Sequence, residues 1–334
     1  MVRTAAVLLA GGTGTRLYPA SRSDRPKQFR AFGDDDRSLL RRAADRAAFA
    51  DAVYVVTRER FAARAAELVP EATVLVEPDA KDTGPALAYA AARVRDDLSA
   101  DAVCCCLPAD HVAGDGFAAV LERACGVAAE TNALVTLGVE PDRPATEYGY
   151  VEPGADHGDH ADVALFREKP DRTTAERLRE AGALWNAGTF AWRPDAFLDE
   201  AETGPLAPLV AALRAGDPER GYDAVEPISV DYAVLERTDR AAVVPADVAW
   251  DDLGSWDALE RVRETDDHGN VHVGAALTVD AAGNVLASDD KHVSVLGVED
   301  LVVAAYDDRV LVLPKAESQR VRDVVAELRE RDLF

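Results

Sequence analysis

Hydrophobic and polar positions in the first half of the chain follow two alternating periods. Short apolar runs at residues 5–9, 52–56, 73–76, 102–107 and 134–137 predict buried strands. Between them, apolar residues recur at the spacing of one helix face and predict helices over residues 38–49, 58–69, 85–98 and 117–130. This alternation predicts an α/β fold, with a mostly parallel sheet and helices on both of its faces. Such sheets bind ligands beyond the carboxyl ends of their strands.

The pattern changes in the second half of the chain. Strands are predicted at residues 148–151, 163–168 and 184–192, followed by helices on either side of residues 217–221. After residue 264, short apolar runs separated by turn residues predict a small β-rich unit with strands at 271–273, 277–279, 285–287, 293–296, 302–305 and 310–313. Val321, Val324, Val325 and Leu328 then predict a closing helix that packs on this unit. We therefore expect two domains, residues 1–264 and 265–334.

Composition places the chain among globular proteins, since 48% of its residues are hydrophobic and 29% are charged. No apolar run reaches about 18 residues, and the chain passes from Arg3 directly into a strand pattern, which predicts neither a membrane span nor a signal peptide. The four cysteines include the consecutive Cys104, Cys105 and Cys106, a pattern typical of a buried strand rather than of disulfides or zinc. We therefore expect a cytoplasmic protein.

The charge balance is strongly acidic. Asp and Glu number 61 against 37 Lys and Arg, giving a net charge of −24, which disfavours broad binding to nucleic acid. Only five of the basic residues are Lys and 32 are Arg. A Lys-poor, acidic chain is typical of a salt-rich cytoplasm, where screening limits self-repulsion, although a merely acidic protein remains the alternative. The few lysines are expected to have specific roles.

A glycine-rich turn follows the first predicted strand. Gly11, Gly12 and Gly14 would let backbone N–H groups approach an anion that any Cβ would exclude. The turn is not a dinucleotide-binding fingerprint, since Leu17 stands where the third glycine should be, and no Gly-Lys-Ser/Thr follows as in a P-loop. Arg16 and Lys27 add nearby cations and favour phosphate binding, with a solvated surface pair as the alternative.

Two acidic sites complete the candidate chemistry. Asp110 lies just past the predicted strand that ends at residue 107, and Asp251 and Asp252 precede Gly254. Each site alone is typical of a turn or a helix cap. Together they would supply hard oxygen ligands to Mg²⁺, which usually takes one or two carboxylates with phosphate oxygens.

These motifs resemble those of the sugar-nucleotide pyrophosphorylases, a nucleotidyltransferase family, and within it most closely the mannose-1-phosphate guanylyltransferases. The resemblance covers about residues 3–260. Beyond the glycine turn and Lys27 it rests on the motifs at residues 77–78, 83–86, 107–111, 148–150, 166–170, 185–188, 229–233 and 250–256. It implies a Rossmann-like catalytic domain over residues 1–264. It also implies a β-helix-like C-terminal unit, often used for homodimerisation.

The resemblance further implies a Mg²⁺-dependent reaction in which GTP and mannose 1-phosphate give GDP-mannose and pyrophosphate. The residues implied to bind the nucleotide are Ala10, Gly11, Gly12, Thr13, Gly14, Thr15, Glu77, Asp82 and Thr83. Those implied to act in catalysis are Arg16, Lys27, Asp110 and Lys169, and those implied to contact the sugar are Gly149, Glu168 and Asn186. Motif register assigns the metal to Asp110 and Asp252, with Asp251 as the alternative to Asp252.

Four further alternatives stay open at this point. A related enzyme would use another nucleotide or sugar, and a regulatory relative would bind ligand without catalysis, although such relatives typically lose the metal carboxylates or the glycine-turn cation. Glu77 is expected to read guanine, since a carboxylate accepts from both N1–H and the 2-amino group. Alternatively, Glu77 caps the helix near Thr83, or Asp82 reads the base. We expect a structural role for His111.

Overall fold

The computed structural model describes residues 2–12, 14–32 and 36–334. The chain forms two compact units, each discontinuous in sequence. The first comprises residues 2–11, 43–109 and 113–249, and the second comprises the described residues of 12–42 with residues 110–112 and 250–334. Within the described ranges, no helix has the length and apolar character needed to cross a membrane.

The predicted strands lie close to their expected positions, and the structure adds strands at residues 112–113, 241–246 and 250–251 that the sequence analysis did not predict. In chain order they are β1 (Thr4–Leu9), β2 (Ala52–Thr57), β3 (Thr73–Val76), β4 (Val103–Pro108), β5 (Val112–Ala113), β6 (Leu134–Val139), β7 (Tyr150–Asp156), β8 (Ala161–Arg167), β9 (Leu184–Trp192), β10 (Ala241–Ala246), β11 (Trp250–Asp251), β12 (Val271–Val273), β13 (Ala276–Val279), β14 (Val285–Ser288), β15 (Val293–Leu296), β16 (Leu301–Tyr306) and β17 (Arg309–Pro314). The strand expected at residues 148–151 begins two residues later and continues to Asp156.

The helices agree less closely at their ends. They are α1 (Leu39–Arg46), α2 (Glu59–Leu68), α3 (Thr83–Asp97), α4 (Phe117–Thr131), α5 (Arg172–Glu180), α6 (Pro194–Glu202), α7 (Ala207–Arg214), α8 (Pro218–Asp223), α9 (Leu259–Val262) and α10 (Val321–Glu330). The expectation that helices would flank residues 217–221 was wrong for the second helix. α8 begins inside that range because Asp217 caps it and Pro218 fits the first helical turn.

The first unit is built on a nine-stranded sheet in the order β3-β2-β1-β4-β9-β6-β10-β8-β7. β8 and β9 run against the other seven strands, which confirms a mostly parallel sheet. β9 lies between β4 and β6 and is antiparallel to both. The carboxyl ends of β1, β3 and β4 therefore share one edge of the sheet, where the motifs begin.

The three consecutive cysteines show how helices cover both faces of this sheet. Cys104 and Cys106 lie in the same buried cluster as Leu87 of α3, whereas the Cys105 thiol contacts Cys125 of α4. Successive strand residues point to opposite faces, so α3 and α4 lie on opposite sides. All four cysteines are buried free thiols, and the burial of the three consecutive ones in a strand confirms the prediction.

The second unit contains a stack of short parallel strands, β12, β14 and β16, closed by antiparallel β17, while β13 pairs with β15. Its core also contains residues from the N-terminal part of the chain, among them Leu17 and Phe32. In α10, Val321 and Val325 are buried as expected, but Val324 is 40% exposed and does not contribute to the core.

A ladder of asparagines joins successive turns of this stack. Asn284 is completely buried, and its side-chain amide donates to Asn270 Oδ1 at 2.9 Å and to the Val298 carbonyl at 3.1 Å. Its Oδ1 accepts from the Leu301 N–H at 2.9 Å. These bonds give the Leu301 N–H its acceptor and add a second donor to the Val298 carbonyl, which also accepts from Ala282 N at 3.2 Å.

Candidate active site

The glycine turn begins at the carboxyl end of β1. Ala10 N–H donates to the Val56 carbonyl at 2.8 Å, and the Thr57 hydroxyl donates to the Ala10 carbonyl at 3.0 Å. A Cβ on Gly11 would lie 3.1 Å from Glu77 Oε2, closer than a comfortable contact. The first unit therefore brings the start of the turn against the Glu77 carboxylate.

Gly14, in the second unit, packs closely against the stem of Lys27. Gly14 has φ +58°, and a Cβ there would lie 2.6 Å from Lys27 Cγ, so both backbone conformation and close approach require glycine. Gln28 Nε2 donates to the Gly12 carbonyl at 2.8 Å, and a 3₁₀ turn follows at Thr15–Leu17. Thr13, expected to bind nucleotide, lies outside the described residues.

Lys27 is not a solvated surface residue. Only 6% of it is exposed, and its Nζ lies 3.1 Å from Asp110 Oδ2. The same ammonium group donates to the carbonyls of Asp252 at 2.8 Å and Leu253 at 3.2 Å. The second unit thus brings together the expected phosphate-binding lysine and both expected metal-binding segments.

The two adjacent aspartates of the 250–254 segment have different surroundings. Asp251 is 4% exposed, and its two carboxylate oxygens accept from Leu253 N at 2.8 Å and Arg261 Nε at 2.6 Å. Burial raises the pKa of Asp251, and the Arg261 guanidinium opposes that shift. The Asp252 carboxylate is partly exposed and accepts from Gly254 N at 3.0 Å. Asp252 is therefore the more accessible carboxylate for a cation.

Asp110 and Asp252 suit Mg²⁺ in donor type, since both are carboxylates and Mg²⁺ prefers oxygen ligands. Within residues 2–12, 14–32 and 36–334, no group of three or more His, Cys, Asp or Glu side chains could hold a metal ion. A divalent cation here would thus need further oxygens, which a nucleotide's phosphates would supply. His111, next to Asp110, packs edge-to-face on Trp250 at 5.3 Å, and burial lowers its pKa.

In the first unit, Glu77 follows β3 and its Oε1 accepts from the Tyr222 hydroxyl at 3.1 Å. Burial raises the pKa of Glu77 to about 7, although the hydrogen bond from Tyr222 opposes the shift. Asp82, not Glu77, caps α3, because its Oδ1 accepts from Thr83 N at 2.7 Å. Thr83 Oγ1 accepts from Val230 N at 3.0 Å.

Asn186 on β9 is held in one orientation by its neighbours. Its Oδ1 accepts from the Thr136 hydroxyl at 2.8 Å and from Gly188 N at 3.1 Å, and its Nδ2 donates to Asp231 Oδ1 at 2.9 Å. Its backbone N–H donates to the Gly149 carbonyl at 2.8 Å. The structure thus places Asn186 beside Gly149.

Glu168 and Lys169 form an ion pair next to these residues. A Cβ on Gly149 would lie 2.5 Å from Glu168 Oε2, so only glycine allows the carboxylate to approach. Burial would lower the pKa of Lys169, but the hydrogen bond and charge of Glu168 raise it. Burial, then the charge of Glu168, raises the pKa of Asp231 to about 7.

The expected site residues are divided between the two units. The first contains Ala10, Gly11, Glu77, Asp82, Thr83, Gly149, Glu168, Lys169 and Asn186, and the second contains Gly12, Gly14, Thr15, Arg16, Lys27, Asp110 and Asp252. The sequence analysis gave no role to Tyr222, Asp231 or Arg261. Tyr222 contacts Glu77, Asp231 contacts Asn186, and Arg261 contacts Asp251, the alternative metal ligand. Asp231 lies within a motif already noted at residues 229–233, but nothing local marked the other two.

Comparisons with known proteins identify the family of this chain. The family model described as Nucleotidyl transferase matches residues 5–269, and the model of a MannoseP isomerase/GMP-like beta-helix domain matches residues 274–328. The xanthan biosynthesis protein XanB of Xanthomonas campestris pv. campestris (strain B100) is 36% identical over 97% of this chain and 73% of its own length. A mannose-1-phosphate guanylyltransferase of Escherichia coli is 36% identical over 97% of this chain and 74% of its own.

A solved structure agrees over the whole chain. The crystal structure of a protein named mannose-1-phosphate geranyltransferase, from Thermus thermophilus, has a TM-score of 0.92 and 34% identity, and covers 98% of this chain and 100% of its own. UDP-glucose pyrophosphorylase shares the fold at a TM-score of 0.54 and 16% identity, covering 76% of this chain and 94% of its own. The family match spans the glycine turn and both aspartate segments, and the chain belongs to the nucleotidyl transferase family.

Proposed function

We propose that this protein transfers a guanylyl group from GTP to mannose 1-phosphate, giving GDP-mannose and pyrophosphate. The observation that carries the proposal is the buried Lys27 ammonium, held between the Gly14 turn and the Asp110 and Asp252 segments. Such a cation suits a site that handles several phosphates. The choice of mannose and guanine rests on the names of the relatives, which include mannose-1-phosphate guanylyltransferases of Klebsiella pneumoniae and Escherichia coli.

The chemistry would be an in-line displacement. An oxygen of the sugar 1-phosphate attacks the α-phosphorus of the triphosphate, the bond to the β-phosphate oxygen breaks, and pyrophosphate leaves with that electron pair. Since the nucleophile is already an anion, the protein needs to position the groups and stabilise charge rather than form a covalent intermediate. Backbone N–H groups of the glycine turn, with Arg16 and Lys27, would stabilise the departing pyrophosphate. Lys169 would hold the attacking phosphate.

Asp110 and Asp252 would hold Mg²⁺, which when bound would neutralise charge on the reacting phosphates. The surroundings of Asp251 favour Asp252 over Asp251 as the metal ligand, because both carboxylate oxygens of Asp251 already accept hydrogen bonds from the protein. Lys27, whose ammonium group lies beside the Asp110 carboxylate, would supply positive charge to the phosphates next to the metal-binding carboxylates.

The first unit would supply recognition of base and sugar. Glu77, near the start of the glycine turn, would accept from N1–H and the 2-amino group of guanine. Its contact with Tyr222, and the use of Asp82 as a helix cap, favour Glu77 over Asp82 for this role. Asn186, with Glu168 at the Gly149 backbone, would bond the sugar hydroxyls.

Three broader expectations remain part of the proposal. The division into residues 1–264 and 265–334 describes the functional modules, with the C-terminal one available for homodimerisation. The buried free cysteines suit a reducing cytoplasm, and the acidic, Lys-poor composition suits one rich in salt.

The test is a substrate panel with the purified protein. Each of GTP, ATP, UTP and dTTP is combined with mannose 1-phosphate, glucose 1-phosphate or N-acetylglucosamine 1-phosphate, with Mg²⁺ present, and released pyrophosphate is measured. GTP with mannose 1-phosphate should give the highest kcat/KM. A different best pair would show a sister enzyme, and ligand binding without pyrophosphate release would show a regulatory relative.

A further inference from the structure

A series of polar contacts in the second unit begins at Arg16 and leads into the C-terminal segment. Arg16 Nη1 donates to Gln319 Oε1 at 3.1 Å, although 303 residues separate the two in sequence. Gln319 Nε2 donates to Ser255 Oγ at 2.8 Å, and Ser255 Oγ donates to Asp257 Oδ1 at 2.6 Å. Gln319 belongs to the 3₁₀ segment Lys315–Arg320, which lies between β17 and α10.

The same series continues to the segment that carries Asp252. Arg261 Nη1 lies 3.4 Å from Asp257 Oδ2, and Arg261 Nε donates to Asp251 Oδ2 at 2.6 Å. Asp251 Oδ1 accepts from Leu253 N at 2.8 Å, and Leu253 has φ +46°, an unfavourable conformation for a γ-branched residue. Asp251 therefore stabilises the strained turn that contains Asp252.

The donors and acceptors in this series permit one arrangement. Arg16 can only donate, so the carbonyl end of the Gln319 amide must face it and the NH₂ end must face Ser255. An ionised Asp257 can only accept, so the Ser255 hydroxyl donates to it and accepts from Gln319. Each of these contacts therefore pairs one donor with one acceptor. A hydrogen-bond network can orient a side chain only when its donors and acceptors match in this way.

We propose that Gln319 is a positioning residue for Arg16, and that this network holds Arg16 in a fixed relation to the Asp252 turn. The proposal rests on the proposed function, in which Arg16 contacts the departing pyrophosphate. A long arginine side chain samples many rotamers unless it is held, and ordering it when a ligand binds costs conformational entropy. A guanidinium that is already fixed binds pyrophosphate without this cost. The C-terminal unit would then contribute to catalysis through Gln319, in addition to any role in assembly.

The network can be disturbed without unfolding the protein, because one of its members is exposed. Ser255 is buried, but Gln319 is exposed, so replacing Gln319 by Leu should leave the fold intact. Arg320 is the matched control, because it is exposed in the same segment and its side chain pairs with Glu317 and Asp323 instead. R320Q also measures how much the loss of one nearby positive charge, without any change at Gln319, weakens the binding of pyrophosphate.

The experiment compares Q319L, R320Q, D257A and the Q319L/D257A double variant with the parent. Pyrophosphate binding in the presence of Mg²⁺ is measured by calorimetry, and KM values for pyrophosphate and for GDP-mannose are measured in the reverse reaction. We expect Q319L to weaken pyrophosphate binding about tenfold, the range of one hydrogen bond to a charged group. The KM for GDP-mannose and the melting temperature of Q319L should stay near those of the parent. D257A should weaken pyrophosphate binding in the same way, with little further loss in the double variant.

The proposal is overturned if Q319L binds pyrophosphate like R320Q, or if the losses in Q319L and D257A simply multiply. A uniform loss of affinity for both substrates with a lowered melting temperature would show a merely structural role and would also overturn it. Failure of the proposed function would look different. The parent would then release no pyrophosphate from GTP and mannose 1-phosphate, while the calorimetric comparison would still test the link between Gln319 and Arg16.

Discussion

Replacing Glu77 by Gln should stabilise the folded protein at alkaline pH while weakening its recognition of guanine. Glu77 is largely buried between the glycine turn and Tyr222, and burial raises its pKa from 4.5 to about 7. A glutamine has the same shape and can still accept from the Tyr222 hydroxyl through its Oε1. It cannot ionise, so it avoids the desolvation of a carboxylate.

The size of the effect follows from the shift in pKa. Because the folded pKa of Glu77 is higher than the unfolded one, the folded state binds the extra proton between pH 4.5 and 7, and stability falls as pH rises through this window. Above pH 7 the full shift applies, and at 1.36 kcal/mol per unit it lowers the free energy of unfolding by about 3 kcal/mol. At pH 5 the same relation gives about 1 kcal/mol. The stabilisation by Glu77→Gln should therefore grow by about 2 kcal/mol from pH 5 to pH 8.

The assay is urea unfolding of the parent and Glu77→Gln at pH 5, 6.5 and 8, with exposed Glu226→Gln as the control for loss of one negative charge. In parallel, kcat/KM is compared for GTP and for inosine triphosphate, which lacks the 2-amino group. Glu77→Gln should reduce the preference for GTP, and Asp82→Asn, which can still cap α3, should retain it. The reasoning is refuted if the stability difference between Glu77→Gln and the parent does not change with pH. The assignment of the base to Glu77 is refuted if Asp82→Asn alone loses the GTP preference.

Three further predictions concern the metal site, the surface charge and the asparagine ladder. Asp110→Asn or Asp252→Asn should lower turnover at least about 10²-fold, because each removes charge that stabilises the reacting phosphates; near-parent turnover in both would contradict the assignment. The melting temperature should rise between dilute buffer and about 2 M KCl, because salt screens the repulsion within a chain of net charge −24, and an unchanged value would count against adaptation to salt. Asn284→Ala should lower the free energy of unfolding by about 2–4 kcal/mol in urea titrations, because it removes three side-chain hydrogen bonds of a completely buried residue and takes away the Asn284 partner of the Leu301 N–H. Asn132→Ala at the exposed end of α4, where only the left-handed backbone is strained, should cost about 1 kcal/mol.

The sequence predicted where in the fold those candidate residues lie whose chemistry depends on local residue type. A glycine turn after a strand needs no distant partner to be recognised, and Gly14 indeed has a positive φ in contact with Lys27. Asp110 was expected at the end of a buried strand, and β4 ends at Pro108, two residues before it. The scarcity of lysine was also informative, since Lys27 is buried among oxygen atoms.

Long-range contacts could not be predicted in this way. The Tyr222 hydroxyl reaches Glu77 across 145 residues, and no periodicity or spacing encodes that pairing. The position of β9 between β4 and β6 could not be predicted for the same reason, since an apolar run indicates a strand but not its neighbours in the sheet. Helix ends were missed for a more local reason. α3 begins at Thr83 rather than at residue 85, because Asp82 supplies the cap and proline is tolerated in the first turn.

The division of the second unit among three stretches of chain has a consequence for biosynthesis. Leu17 and Phe32 pack in one cluster with Val271, Val285 and Val302 as well as Trp256, so the segment that carries Arg16 and Lys27 lacks its full set of core partners until residues beyond 270 have been made. At about 5–20 residues per second, a ribosome needs roughly 12–50 s for the intervening stretch of about 240 residues. During that interval the early segment is exposed, and closing so long a loop is slow. A nascent chain arrested before residue 270 should therefore leave the segment around Lys27 open to protease, and release of the full-length chain should protect it.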